Sequence, residues 1–256
     1  MFSLFVFLLG LVIGSFLEVL SDRLPKEEQV VKGRSHCDHC RKRLSPLDLI
    51  PVLSYFLLLG KCRYCKKGIS IKYPLVELAT GLGFAYIFLN LKIFALPSPS
   101  LISLVFLWFI FSCFLVIFMA DLQYLIIPNA IVIPAAVLSI TYYLIYFPQF
   151  LLPHLLAACG SSLFLLLLYA ITRGRGMGFG DVKFAFLMGL LLGFPEVVIA
   201  FYLAFLTGAV VGIILLLIGK VRFGQYIAFG PFLVIATIIV LVCKEKLLSL
   251  FLKFLF

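Results

Sequence analysis

The sequence predicts an all-α polytopic membrane protein, with about eight transmembrane helices and a small zinc-ribbon-like cytoplasmic insert. Of its 256 residues, 64% are hydrophobic and only 12% are charged, and the mean hydropathy is +1.22. A soluble domain of this size needs more polar surface. The apolar residues form segments long enough to cross a bilayer. One polar stretch, residues 22–72, interrupts them early in the chain.

The first apolar segment, within residues 1–21, is predicted to be a transmembrane helix. No Lys or Arg precedes Arg23, so the segment lacks the basic start of a cleavable signal peptide. Arg23, Lys26 and Lys32 follow it. Because positive charge is retained on the cytoplasmic side, the N-terminus is expected outside and residue 21 at the inner face.

Residues 22–72 form a basic insert, which holds 12 of the 21 Lys and Arg and 5 of the 11 Asp and Glu. A basic loop next to apolar helices is the usual signal of the cytoplasmic side, and we do not interpret it as a nucleic-acid site. Such a short domain needs a bound metal or cross-links to fold.

Two Cys-x-x-Cys pairs in the insert predict a structural zinc site. Cys37 and Cys40 are separated by 21 residues from Cys62 and Cys65. Four thiolates on two tight turns suit tetrahedral zinc and leave no open position for water. Two disulfides are the main alternative, which the reducing cytoplasm disfavours. An iron–sulfur centre, or His36 or His39 in place of one thiolate, also remains open.

Residues 73–256 are predicted to form the rest of the membrane domain. The lengths of the apolar segments and the polar, Gly and Pro residues between them predict seven further spans, at 74–91, 101–120, 126–147, 152–172, 182–193, 196–218 and 227–243. Pro97 and Pro99, then Pro148 and Pro153, mark external turns. The segment 182–193 reaches only about 18 Å at 1.5 Å per residue, too short to cross a bilayer alone.

Two aspartates at predicted helix ends are the candidate catalytic residues. Asp121 ends the third span, and Asp181 begins the sixth in Gly178-Phe179-Gly180-Asp181, so both lie at the inner face. An acid at membrane depth costs about 2.5–3.5 kcal/mol on insertion scales and needs a partner or a function. Two close carboxyls share a proton and can serve as acid and base. The glycines at 178 and 180 would let a substrate backbone approach.

Three other interpretations apply to the two aspartates. Asp121 could be a solvated turn residue, and Asp181 a carboxylate favoured by a helix dipole. A proton-coupled transporter could use both as relay groups, but it would place acids near the bilayer midplane, often in repeats. A zinc-stapled scaffold without catalysis would tolerate replacement of either aspartate.

Motifs along nearly the whole chain resemble the prepilin peptidases, the bacterial G-x-G-D aspartic peptidases. In chain order they are Gly14-Ser15-Phe16-Leu17, the first cysteine pair, Ile50-Pro51-Val52-Leu53-Ser54-Tyr55, the second cysteine pair, Tyr73-Pro74-Leu75-Val76-Glu77-Leu78, Asp121 with Ile127-Pro128-Asn129, Gly178-Phe179-Gly180-Asp181-Val182-Lys183, and Phe229-Gly230-Pro231-Phe232.

The resemblance implies an activity, partners and a location. Similar enzymes sit in the bacterial inner membrane and cut the basic leader from type IV prepilins or type II secretion pseudopilins at the cytoplasmic face. Many then methylate the new N-terminus with S-adenosylmethionine, an activity that goes with the long insert; cleavage alone is the alternative. Glu18 stands where the family pattern has Asn, and Glu18 and Glu77 are candidates to hold the sulfonium of the methyl donor.

Overall fold

The computed structural model describes residues 2–29, 35–37, 39–91, 100–222, 225 and 227–255, without the side chains of 245, 246 and 248–255. Lys32 and the turn prolines Pro97 and Pro99 lie outside the described residues. Within these described residues, a helix forms at each of the eight predicted spans, the helix at the sixth span being the shortest of the eight, and a further short helix lies in the insert. The helices are α1 Phe2–Arg23, α2 Leu53–Leu57, α3 Lys72–Leu89, α4 Leu101–Tyr124, α5 Asn129–Tyr146, α6 Pro148–Ile171, α7 Phe179–Leu192, α8 Glu196–Leu217 and α9 Gly230–Leu255.

The all-α prediction is confirmed, and the protein is a multi-pass membrane protein. In the part of the chain that the structure describes, five helices are long and apolar enough to cross a membrane, namely α1 with the turn after it, α4, α5, α6 and α8. A shorter apolar stretch, Gly230–Lys244, lies within α9. Within the described residues, extended pairing is limited to two isolated bridges in the insert, His36 with Arg43 and Lys61 with Gly68.

Helix α7 is short and enclosed by other helices. It has 14 residues, or about 21 Å, and packs against α5, α6, α8 and α9. The side chains of His154 and Tyr143 bond to carbonyls of its last turn: His154 Nδ1 lies 2.7 Å from the Leu190 oxygen, and the Tyr143 hydroxyl donates to Leu191 over 3.3 Å. Protein groups therefore satisfy a helix end that cannot reach the far headgroups.

The chain forms two compact units, Met1–Val116 and Ile117–Phe256. The first contains α1, the insert, α3 and the first two-thirds of α4. In it, the Trp108 indole stacks on Phe84 at 4.9 Å between ring centroids and donates to the Phe84 carbonyl oxygen over 3.1 Å. The second unit contains the end of α4 and α5 to α9, so both candidate aspartates belong to one unit.

Candidate active site and metal site

Asp121 lies in the last turn of α4 and is 6% exposed. Its Oδ2 accepts a hydrogen bond of 2.9 Å from the Gly230 N–H, the first residue of α9. A helix N-terminus carries unsatisfied N–H groups and partial positive charge, and both stabilise a carboxylate. Any side chain at Gly230 would collide, because its Cβ would lie 2.7 Å from Asp121 Oδ2.

Asp181 lies in the first turn of α7 and is 4% exposed. Its Oδ2 accepts a hydrogen bond of 3.0 Å from the Gly178 N–H, the residue that caps the helix. The carboxylate thus folds back onto the first turn of its own helix, as acids three residues after a cap do. Both aspartates are therefore bonded to the backbone at a helix N-terminus.

The two carboxylates are close enough to act on each other. The charge of Asp121 repels that of Asp181, and α7, which carries Asp181, packs against α9, whose first residue binds Asp121. Each uses only its Oδ2 atom in the hydrogen bonds of the described chain. Two like charges in a buried site favour a state that holds one proton between them.

Residues around Asp181 fix the start of α7 against α5. Lys183 donates a hydrogen bond of 2.7 Å to the side-chain oxygen of Asn129 and lies 5.0 Å from the Phe179 ring centroid. A Cβ on Gly180 would lie 2.9 Å from the Cβ of Ile127. Gly180 therefore allows helix packing, whereas Gly178 has no atom closer than 3.8 Å to where a Cβ would be.

The four cysteines of the insert come together. The Sγ atoms of Cys37, Cys40, Cys62 and Cys65 all lie within 4.8 Å of one another, and all four thiols are free. The Sγ atoms of Cys37 and Cys65 are 3.8 Å apart, close to the edge of a sulfur tetrahedron built on metal–sulfur bonds of about 2.3 Å. The cluster can hold a metal ion, and it includes neither His36 nor His39 among the described ligands.

The backbone folds around both cysteine pairs in the same way. Cys37 N–H donates to the Lys42 oxygen and Arg41 N–H to the Cys37 oxygen, at 3.0 and 2.8 Å. The second pair repeats this pattern 25 residues later, at 2.9 Å from Cys62 to Lys67 and at 3.0 Å from Lys66 to Cys62. Backbone hydrogen bonds from Cys65 and Tyr64 lower the pKa of the Cys62 thiol to about 7, whereas at Cys65 a backbone hydrogen bond from Lys67 is outweighed by desolvation and by hydrogen bonds to the neighbouring thiols, which raise the pKa of Cys65 to about 11. Without metal, the cluster therefore favours a thiolate at Cys62.

Glu18 and Glu77 are both buried but differ in their hydrogen bonds. Glu77 Oε2 accepts a hydrogen bond of 2.7 Å from the Val52 N–H, and its side chain also bonds with Ser15. Glu18 is 1% exposed, and neither of its oxygens has a partner in the described chain. The charges that act on Glu18 are repulsive from Asp22 and Glu77 and attractive from Lys72.

Two protein-family models match the chain, one over the part that contains the cysteine cluster and one over the part that contains the aspartates. Residues 8–91, with the four cysteines and both glutamates, match the bacterial peptidase A24 N-terminal domain. Residues 108–213, with both aspartates, match the type IV leader peptidase family. The chain belongs to the type IV leader peptidase family. This bears out the resemblance drawn from the motifs.

Relatives named prepilin leader peptidase/N-methyltransferase align over nearly the full chain. The prepilin leader peptidase/N-methyltransferase of Bacillus subtilis is 31% identical over 248 residues, which is 97% of each chain. The protein of the same name from Pseudomonas aeruginosa is 30% identical and covers 99% of this chain and 94% of its own. That of Aeromonas hydrophila is 32% identical, over 96% and 92%. No solved structure matches the chain significantly.

The sequence singled out the charged site residues but missed their backbone partners. Gly230 was part of a quoted motif and had no assigned role, although it is the donor to Asp121. The pairing of Asn129 with Lys183 was also missed. Gly230, Asn129 and Lys183 all lie within the family motifs, and this was the only sign in the sequence that they belong to the site.

Proposed function

We propose that this protein is a membrane aspartic endopeptidase that removes the leader peptide from type IV prepilins or pseudopilins. The observation that carries the proposal is the pair Asp121 and Asp181, two buried carboxylates that repel each other, each bonded to a helix N-terminus. Membership of the leader peptidase family and the names of the relatives support this substrate class.

The geometry suits acid–base catalysis on a water molecule. With Oδ2 of Asp121 and Asp181 held by backbone N–H groups, the other oxygen of each carboxyl is available for a water and a shared proton. One carboxylate accepts a proton from water as the oxygen attacks the scissile carbonyl. The other carboxyl donates its proton to the carbonyl oxygen, which gives a tetrahedral gem-diol. As the C–N bond breaks, the first carboxyl gives the proton it took from water to the leaving nitrogen, and the second carboxylate takes a proton back from the gem-diol as the product carboxyl group forms.

We propose that the substrate backbone reaches Asp181 by passing beside Gly178 and Gly180. Open space at Gly178 supports a backbone passing beside Asp181, and contact with Ile127 gives Gly180 an additional packing role. Gly178→Ala fits the folded chain, so a rise in KM for peptide cleavage in a stable variant would support the approach path. Unchanged kinetics would remove Gly178 from it.

Cleavage is tested with purified protein and a synthetic prepilin. Asp121→Asn and Asp181→Asn keep an oxygen for the backbone N–H donors, so both should fold, and cleavage should fall by about 10²–10⁴-fold. Glu18→Gln, which removes a buried carboxyl outside the aspartate pair, is the matched control and should cleave normally. Wild-type cleavage by Asp181→Asn would refute the mechanism.

We propose zinc as the metal of the four cysteines. The sulfur spacing suits tetrahedral zinc, and four thiolates make the site structural. Elemental analysis should find about one zinc per chain in the wild type and almost none in Cys37→Ser with Cys62→Ser. Another metal, or disulfides between these thiols by mass spectrometry, would contradict the proposal.

A second proposed activity is methylation of the new N-terminus with S-adenosylmethionine, as the names of the relatives suggest. The two candidate carboxylates differ in a way that favours Glu18 as the partner of a cation. Glu77 is already hydrogen-bonded to Val52 and Ser15, whereas in the described part of the chain neither oxygen of Glu18 has a hydrogen-bond partner. A sulfonium near Glu18 would balance a buried negative charge.

Incubation with prepilin and methyl-labelled S-adenosylmethionine separates the two activities. Glu18→Gln should cleave at the wild-type rate and lose label, whereas Asp181→Asn should lose both, because the amine forms only on cleavage. Full labelling by Glu18→Gln would exclude Glu18. Cleaved but unlabelled wild-type product, under conditions where a bifunctional relative is labelled, would identify a peptidase alone.

We further propose that the protein lies in the bacterial inner membrane with the insert and both aspartates at the cytoplasmic face. The proposed functional division is residues 1–21 as the first membrane helix, 22–72 as the zinc-binding insert and 73–256 as the peptidase domain. The basic residues of the insert support this orientation. Trypsin added to the cytoplasmic side of oriented vesicles should cut the insert at its exposed basic residues, such as Arg43 and Lys67, and trypsin on the opposite side should not. Cutting from the opposite side alone would contradict the orientation.

A further inference from the structure

The loop between the two cysteine pairs exposes an unusual amount of apolar surface. We call residues 47–59 the apolar loop. Its exposed large side chains are Leu47, Leu49, Ile50, Leu53, Phe56, Leu57 and Leu59, with Phe56, Leu57 and Leu59 at 62%, 73% and 84% exposure. Proteins seldom leave such a continuous apolar surface in water, and where they do it marks a binding surface.

A single charged residue, Asp48, lies between Arg43 and Lys61, and it is turned away from solvent. Asp48 accepts hydrogen bonds from the backbone and hydroxyl of Ser45 and forms a 2.7 Å ion pair with Arg63. Its side chain is 3% exposed. Burial raises the pKa of Asp48, but the bonds from Ser45 and Arg63 outweigh it and keep that pKa below its ordinary value. The apolar loop therefore presents no unpaired carboxylate.

The apolar loop is fixed beside a membrane helix. The Val52 N–H donates to Glu77, which lies five residues into α3, or about 7.5 Å along its axis from Lys72. Glu77 is itself buried against Ser15 of α1. This hydrogen bond holds the loop at the level where α3 passes from its charged first residue into its apolar part.

Basic side chains flank the apolar loop on both sides in sequence. Arg41, Lys42 and Arg43 precede it, and Lys61, Arg63, Lys66 and Lys67 follow it. An apolar surface bordered by Lys and Arg suits the interface of a bilayer that contains anionic lipids. Lys42 also lies 5.5 Å from the Tyr64 ring centroid, so Tyr64 belongs to the basic part of the insert.

We infer that the apolar loop inserts into the headgroup–acyl boundary of the leaflet on the insert's side, with anionic phospholipid as its partner. The Glu77–Val52 hydrogen bond sets the depth of the loop, and the basic residues bind the headgroups. The insert, with its cysteine cluster, is then attached to the membrane at two places: where it joins α1 and α3, and at the apolar loop. Glu77 is thereby a positioning residue for the insert.

Fluorescence quenching in full-length protein tests this inference. Trp108 is the sole tryptophan of the chain, so Trp108→Phe with Phe56→Trp gives one reporter in the apolar loop. Trp108→Phe with Tyr64→Trp is the matched control on the basic part. Both proteins are reconstituted into nanodiscs whose lipids carry bromine near the top of the acyl chain, and both must retain the melting temperature of Trp108→Phe.

The Phe56→Trp reporter should show blue-shifted emission and several-fold stronger quenching than the Tyr64→Trp control. Quenching should be stronger with anionic than with zwitterionic lipids. Water-like emission without quenching would overturn the inference. Blue-shifted emission without quenching would also overturn it, since protein or a second copy would then cover the loop. Equal quenching in both lipids would overturn the role of the basic residues.

Discussion

The protein contains two pairs of buried acids that resemble each other in composition and differ in their hydrogen bonds. Asp121 and Asp181 are nearly equivalent, since each accepts one backbone N–H at a helix N-terminus. Glu18 and Glu77 are unequal, since among the described residues Glu77 has two donors and Glu18 has none. We propose that the even pair exchanges acid and base roles, and that the uneven pair divides into a structural carboxylate, Glu77, and a carboxylate that faces the methyl donor, Glu18.

The even pair depends most on the close approach of Gly230. Gly230→Ala would place a methyl group 2.7 Å from Asp121 Oδ2, so the carboxylate must move. A displacement of about 1 Å at a catalytic group can cost on the order of 10²-fold in rate. We expect such a loss of kcat in prepilin cleavage. Gly160→Ala, where a Cβ meets no atom within 4 Å, is the control and should cleave normally.

Replacing each glutamate of the uneven pair by leucine should change the stability of the protein by different amounts. Glu77→Leu leaves the Val52 N–H without its acceptor and should lower the free energy of unfolding by about 1–3 kcal/mol. Glu18→Leu removes a buried carboxyl that has no hydrogen bond, so it should be neutral or stabilising. Denaturant titration in one fixed micelle measures both. Equal destabilisation would show that Glu18 has an equivalent structural partner.

A smaller effect is expected where the aspartate site meets α5. Lys183→Met removes the hydrogen bond to Asn129, which lies at the protein surface. Surface interactions of this kind contribute about 0–1 kcal/mol, so stability should change by no more than that. Cleavage should fall by less than tenfold, because Asp181 keeps its bond to Gly178. A fall as large as that of Gly230→Ala would place Lys183 in the reaction itself.

The helices and the side chains that carry charge were predictable from the sequence. Apolar segment lengths predicted a helix at each of the eight spans, and the Cys-x-x-Cys spacing predicted the thiol cluster. Ionisable residues are conspicuous in apolar segments, which is why Asp121 and Asp181 were found. The structure places both in one compact unit, and their role as a catalytic pair stays a prediction.

The donors that distinguish the acids were not predictable, because most of them are backbone groups. The Gly230 N–H is 109 residues from Asp121, and the Val52 N–H is 25 residues from Glu77. A backbone N–H has the same chemistry at every non-proline residue, so no residue type marks it. His154 is a similar case, since its partner is the Leu190 carbonyl oxygen at the end of α7. Only the tertiary fold selects these groups.

The most direct test of the central claim is a double-mutant cycle on prepilin cleavage with Asp121→Asn, Asp181→Asn and the combined variant. Residues that act as one unit give strongly non-additive losses, because either change alone removes the function of both. The even pair predicts that each single variant cleaves almost as slowly as the double variant, with wild-type stability in all three. Two losses that multiply in the double variant, or wild-type cleavage by either single variant, would contradict it.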